Sequence, residues 1–324
     1  MKRMISGIKP TGKVHLGNYI GAIKPFITYQ NDYDLFVFIA DLHALTLPID
    51  PQELKQNTID LIKIYLASGL TNATIFKQSE LPQHTQLEWV LTCNTVLGEF
   101  TKMPQYKNYI DAHKGQAVPT GMLLYPSLMN ADILLYDADY VPCGIDQKPH
   151  VDLTRDVAEK FNKRYGNIFK LPEAVVARTG AKIMSLSNPS KKMSKSESDK
   201  GTIYLLEDVE ITRKKIMKAL TDSEGKVYYN PETKPGISNL MTIYSVLTNM
   251  SYEEIENKYK DITNYGIFKK DLADIVCNEL KNLQEKVNMI SDEDLNDILH
   301  KGYYIANSQA NIRINNVYTA IGLK

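Results

Sequence analysis

Cysteine is scarce in this chain: Cys93, Cys143 and Cys277 are the only three in 324 residues, and no two form a C-x-x-C pair. That spacing excludes a disulfide framework and a zinc-ribbon site, and buried free thiols are the expected state. Net charge is absent as well, with 38 basic against 38 acidic side chains. A nucleic-acid partner would therefore be held by a local basic patch, because no global field draws it in. No apolar run is long enough to span a bilayer, and Met1, Lys2 and Arg3 lead into a strand instead of a signal-peptide apolar core. A cytoplasmic location without a membrane partner is expected. There are no internal repeats, and 43% hydrophobic with 23% charged residues is ordinary globular composition. The length allows two domains whose cores need no metal to complete them.

What is present is organised around residues 6–21, SGIKPTGKVHLGNYIG. The apolar Met4 and Ile5 precede this stretch, and Ala22, Ile23, Phe26 and Ile27 follow with helical spacing, so it reads as strand, glycine turn and helix. A helix starting near Gly17 aims unpaired N–H groups and its positive dipole end at the space above the turn, which suits a phosphate. His15 and Lys9 add donors, and glycines at 7, 12 and 17 allow positive φ and let a ligand approach the backbone. A packed βα corner has the same form, so this stretch alone does not decide between the two.

Further strands are expected at 34–40, 74–78 and 140–143, and helices from the Asp50 cap to Gly69, at 84–96, at 125–137 and from Gln147 to Tyr165. Strands alternating with helices predict an α/β fold, a doubly wound parallel sheet of Rossmann type. Asp41 and His43 fall at the carboxyl end of a strand, the edge where open α/β sheets bind ligands. Residues 97–121 read as an irregular insertion overhanging that edge. Residues 185–201, rich in serine and lysine, read as a mobile exposed loop. A basic helix with Arg213, Lys214, Lys215 and Lys218 follows, and from Ile237 onward every periodic segment is helical. The expected division is a catalytic domain at 1–184, the loop at 185–201 and a C-terminal all-helical domain at 202–324, whose last helix is a candidate to pack back on the first domain.

Within the loop, Lys192, Met193, Ser194, Lys195 and Ser196 spell KMSKS. A specified pentapeptide is a far stronger signal than a loose pattern. With the histidine-glycine turn at 9–18, it resembles the two signature motifs of class I aminoacyl-tRNA synthetases. The segment Gly144, Ile145, Asp146, Gln147 with its following helix, DLHALT at 41–46, YPSLMNADILLY at 125–136 and TDSEG at 221–225 are similar to the tryptophan and tyrosine branch of that family over nearly the whole chain.

The resemblance implies attack of an amino-acid carboxylate on the α-phosphate of ATP, with Mg²⁺ on the phosphates, and then transfer to tRNA by a homodimer. It implies Lys192, Lys195 and His15 as catalytic residues. Lys9, Pro10, Thr11, Gly17, Asn18, Gly144, Ile145, Asp146 and Ile183 would meet ATP together with Met193, Ser194 and Ser196 of the loop. No metal ligands are expected from the protein, and a lysine of 102–114 is a candidate to reach the phosphates. The chain departs from the branch pattern at Lys9, His15, Ile5 and Ile145, where many tryptophan-branch members carry glutamine, threonine, an aromatic and glutamate.

The choice between amino acids turns on a few positions. The tyrosine branch carries a tyrosine where this chain has Ile5, which cannot pair a phenol. Asp132 lies among Met129, Ile133 and Leu134, and a buried carboxylate there needs a donor that an indole N–H would supply. L-Tryptophan and tRNA(Trp) are therefore the expected substrates. Ile5, Met129, Ile133, Val141 and Cys143 would form the indole wall, and Tyr125, His43 and Gln147 would hold the α-amino and carboxylate groups. Tyrosine activation, a small-molecule nucleotidyltransferase and a non-catalytic synthetase-like binder remain as alternatives.

Overall fold

Five parallel strands form one sheet in the computed structural model, which describes residues 1–176, 182–194 and 200–324. They are β1 (Arg3–Ile8), β2 (Asp34–Ile39), β3 (Thr74–Lys77), β4 (Tyr140–Cys143) and β5 (Glu173–Val176), in the order β3-β2-β1-β4-β5. After β1 the chain runs outward on one side through β2 and β3, then returns to add β4 and β5 on the other. The order therefore reverses between β1 and β4, and a crevice opens there at the carboxyl ends of the strands.

Helix α1 (Leu16–Asn18) passes through a π-helical turn, Tyr19–Ile23, into α2 (Lys24–Asp32). Between β2 and β3 lie α3 (Asp41–Ala44) and α4 (Pro51–Ala67). The start of α4 is fixed by Asp50, whose carboxylate accepts from the N–H groups of Gln52 and Glu53 at 2.9 and 3.0 Å, a cap worth about 1 kcal/mol. Next come α5 (Gln83–Cys93), α6 (Leu97–Phe100), α7 (Pro104–Ala112) and α8 (Thr120–Leu134), and α9 (Lys148–Tyr165) joins β4 to β5. Among the described residues after β5 the regular elements are helices: α10 (Val209–Met217), α11 (Pro235–Thr248), α12 (Tyr252–Lys258), α13 (Gly266–Met289) and α14 (Asp292–Ala320).

Both faces of the sheet are covered, which is why β2 buries Leu35 to Ile39 without a polar interruption. Alternation along β1 sends Met4 into one core, with Val37, Ile64 and the α11 and α13 residues Leu240 and Leu272. Ile5 goes into the other, with Phe36, Phe76, Leu87 and Ile133. Helix α14 joins that second core through Ala306, Ala310, Ile314 and Val317. It lies so close to β3 that a side chain at Gly302 would collide with the carbonyl of Ile75.

Three sequence expectations are corrected. Residues 97–121 are not an irregular loop, because they contain α6, α7 and the first residues of α8. Pro104 opens α7 at a first-turn position, where its missing N–H costs nothing. Helix α8 begins at Thr120, ahead of the expected Tyr125, and carries Pro126 in its interior. The short edge strand β5 was not expected at all.

Candidate active site

The first signature sits at the carboxyl end of β1, beside the switch point. Pro10 is buried, Thr11 is half-buried, and Gly12 turns the chain with φ of +64°. Gly7 and Gly17 do not share that backbone conformation. Gly7 is needed for room, since an added Cβ would stand 2.6 Å from the Phe38 ring. Lys9 keeps water contact while the surrounding protein wall lowers its pKa by desolvation, the effect of a cleft and not of a core.

His15 caps α1 reciprocally with Asn18. Its Nδ1 accepts from the Asn18 N–H at 3.3 Å, and the Asn18 side-chain oxygen accepts from the His15 N–H at 3.3 Å. His15 is buried, and with Nδ1 accepting at the helix start the proton of the neutral ring lies on Nε2, the nitrogen left to donate.

The second signature is tied to the first by backbone. The Met193 N–H donates to Ile183 (2.9 Å), the Thr202 hydroxyl donates to the Ser194 carbonyl (3.0 Å), and the Leu16 N–H donates to Ile203 (2.8 Å). The Leu205 N–H donates to Val14 at 3.0 Å. Met193 is buried, 3.7 Å from where a Cβ on Gly17 would lie, and Lys192 is exposed. Lys195 and Ser196 lie outside the described residues.

At the end of β4, Gly144, Ile145 and Asp146 are exposed, and Gln147 begins α9 with its N–H on the Gly144 carbonyl. A Cβ on Gly144 would come within 2.6 Å of the Asp146 Oδ1, so the carboxylate folds over that glycine. A separate cavity of about 610 Å³ opens beside Gly12, Lys13 and Val14. Glu53, Asp60 and Glu207 line it together with Lys13 and Lys215, and Lys215 is paired with Glu207 at 2.5 Å.

Deeper on the β2 and β3 side, Asp132 is 1% exposed and has three protein donors. Gln78 Nε2 (2.6 Å) and His84 Nδ1 (2.7 Å) meet its Oδ1, and His43 Nε2 (2.7 Å) meets its Oδ2. Burial alone would raise this carboxyl, but the charge of His43 and the hydrogen bonds of His43 and His84 reverse the shift and bring the pKa to about 2. Asp132, for which the sequence named an indole N–H as donor, thus also has protein donors among the described residues. His43, expected at the α-amino or carboxylate group, spends its Nε2 on Asp132 instead.

Tyr125 places its hydroxyl 2.5 Å from His150 Nε2 and 3.2 Å from Gln105 Oε1. Burial lowers the His150 pKa to about 4 and raises that of Tyr125. Of the expected apolar wall, Ile5, Ile133 and Val141 are closed into the core, and Met129 and Cys143 are half-buried against it. Burial raises the Cys143 thiol to about 11, so it stays protonated.

Gln78 and His84 were missed as site residues. The signals were a glutamine ending the apolar run TIFKQ and a histidine sharing the helical face of Leu87 and Leu91.

Two cations of the basic helix α10 are paired within the protein. Arg213 pairs with Asp274 at 2.5 Å and Lys215 with Glu207 at 2.5 Å, which leaves Lys214 and Lys218 as the candidates there for an RNA backbone.

Comparison with known proteins agrees with this architecture. The model of the class I tRNA synthetases (W and Y) matches residues 1–281. A tryptophan–tRNA ligase of Bacillus subtilis is 49% identical, covering 100% of this chain and 98% of that protein. The crystal structure of a Mycoplasma pneumoniae tryptophanyl-tRNA synthetase superposes with a TM-score of 0.92 at 37% identity, covering 100% of this chain and 98% of that one. A Campylobacter jejuni tryptophanyl-tRNA synthetase complexed with ADP and tryptophan gives 0.82 at 32% identity, covering 99% of each chain. With the paired signatures flanking the switch point of a parallel sheet, and likeness over the full length, the chain belongs to the class I tRNA synthetases of the W and Y family.

Proposed function

We propose that this chain activates L-tryptophan with ATP and transfers it to tRNA(Trp). The observation that carries the choice of amino acid is Asp132, an ionised carboxylate at the β2 and β3 side whose Oδ2 accepts a single hydrogen bond from the described residues. A second acceptor position on that oxygen matches an indole N–H. Ile5 supports tryptophan over tyrosine, since it stands where the tyrosine branch carries a tyrosine and can neither donate to nor accept from a phenol.

In the first step a tryptophan carboxylate oxygen attacks the α-phosphorus of ATP, and pyrophosphate leaves in line with its bonding pair. Positioning and charge stabilisation supply the catalysis. Lys192 and Lys195 neutralise the departing β- and γ-phosphates, the N-terminal end of the first helix at His15, Gly17 and Asn18 and the 9–12 turn hold the nucleotide, and Asp146 accepts from the ribose hydroxyls. Among the described residues no three metal-ligating side chains cluster, so Mg²⁺ would be held mainly by phosphate oxygens and water. In the second step a terminal ribose hydroxyl of tRNA attacks the adenylate carbonyl and AMP leaves.

Residues 202–324 form the helical anticodon-binding part in this reading. The protein acts in the cytoplasm as a homodimer. An exposed strip on and after α5, comprising Trp89 (65% exposed), Val96 (67%) and Leu97 (62%), is the proposed pairing surface. Trp89→Glu should convert the dimer to monomers in sedimentation; an unchanged dimer would place the contact elsewhere. The function itself is tested by charging purified tRNA(Trp) with labelled tryptophan or tyrosine. Tryptophan alone should be esterified, and charging by tyrosine would support the alternative.

A further inference from the structure

Behind Asp132 stand two buried polar groups that no step above uses. His84 is wholly buried, between the rings of Phe38, Phe76 and Tyr136 at 6.1, 6.2 and 5.6 Å. Its Nδ1 meets Asp132 Oδ1 at 2.7 Å, and its Nε2 meets the Tyr136 hydroxyl at 2.8 Å. Because Asp132 is ionised, it accepts, and the proton between them belongs to Nδ1 of His84. Burial and the charge on Asp132 keep Tyr136 protonated, so its O–H donates to Nε2. The result is a directed chain in which phenol polarises imidazole and imidazole polarises carboxylate.

Gln78 occupies the second acceptor position of the same Oδ1, at 2.6 Å. Oδ1 is therefore saturated, and the carboxylate cannot rotate without breaking two buried hydrogen bonds. Among the described residues, Oδ2 has one partner, His43, and keeps a second acceptor position. We infer that His84, backed by Tyr136, is a positioning residue that fixes the orientation of Asp132 so that Oδ2 reads the ring N–H of the substrate. The inference rests on the tryptophan reading above. A purely structural histidine would support the fold equally for any occupant of the pocket, whereas a positioning histidine acts only on a substrate that donates a hydrogen bond.

The test uses the full-length protein in tryptophan-dependent pyrophosphate exchange. KM is measured for L-tryptophan, and a competitive inhibition constant is measured for the analogue whose ring N–H is replaced by sulfur. Wild type must first show exchange with tryptophan; without it the functional reading fails, whatever the variants do. Tyr136→Phe and His84→Gln should raise the tryptophan KM by about 10-fold, the size expected for weakening one charge-assisted hydrogen bond, with kcat and the analogue constant changed less than about twofold. Parallel rises for tryptophan and the analogue, or no change in either, would overturn the positioning role. If His84→Gln does not fold, Tyr136→Phe alone decides, since it removes one hydroxyl and keeps the ring.

Discussion

The hydroxyl of Tyr125 lies 2.5 Å from Nε2 of His150, joining α8 to α9 across the crevice wall. Burial holds His150 neutral, with its pKa lowered to about 4 against about 6.5 in an unfolded chain. As pH falls from 7 the unfolded chain takes up this proton first. The contribution to stability is therefore complete above about pH 6.5 and is lost between there and about pH 4. His150→Gln should flatten the dependence of unfolding free energy on pH in that window, as read by urea denaturation. An unchanged slope would show that His150 titrates as an ordinary surface histidine.

Asp132 has the opposite dependence in a more acid window. Its pKa of about 2 lies below the unfolded value near 3.9, so its stabilisation is present above about pH 4 and is lost as pH falls toward 2. Asp132→Asn offers one acceptor oxygen to the donors of Gln78, His43 and His84. It should cost roughly 1–3 kcal/mol at pH 7, because donors are left unpaired in the interior. The same variant should raise the tryptophan KM. A variant as stable as wild type at neutral pH would contradict the network described.

Lys192 is exposed, whereas its neighbour Met193 is buried. Lys192→Ala should therefore leave the melting temperature nearly unchanged, within about 0.5 kcal/mol, while pyrophosphate exchange falls by roughly 10²-fold or more. Met193→Ala should reverse the emphasis, losing stability by about 2 kcal/mol or more through the cavity left against Gly17 and the core. Equal losses of stability in the two variants would mean that Lys192 is structural.

The sequence made four of the strands legible, β2 as a nearly continuous apolar run and β1 from Met4 and Ile5 ahead of the glycine turn, whereas the strand order and with it the switch point had to be seen. It hid β5, a four-residue half-exposed strand with no alternation to read. Helix α7 was hidden by Met103-Pro104, which reads as a break when proline is taken as an interruption and as a start when it is taken as a first-turn residue. The early start of α8 was masked by Pro126, which normally ends a helix. At the site, Asp132 stood out because a carboxylate among apolar neighbours demands partners. Its donors did not, because Gln78 and His84 come from other elements, 54 and 48 residues away, and only the fold brings them together. For His15 the motif gave the position, but its capping geometry with Asn18 had to be seen.

The most direct measurement of the central claim is amino-acid-dependent ATP–pyrophosphate exchange by the purified wild-type chain, run against all twenty amino acids. The account predicts exchange with L-tryptophan that exceeds exchange with L-tyrosine by on the order of 10³ or more in kcat/KM, because Asp132 is held with its Oδ2 set for a ring N–H and Ile5 stands where the tyrosine branch carries a tyrosine. Exchange supported equally well by tyrosine, or by tyrosine alone, would contradict it.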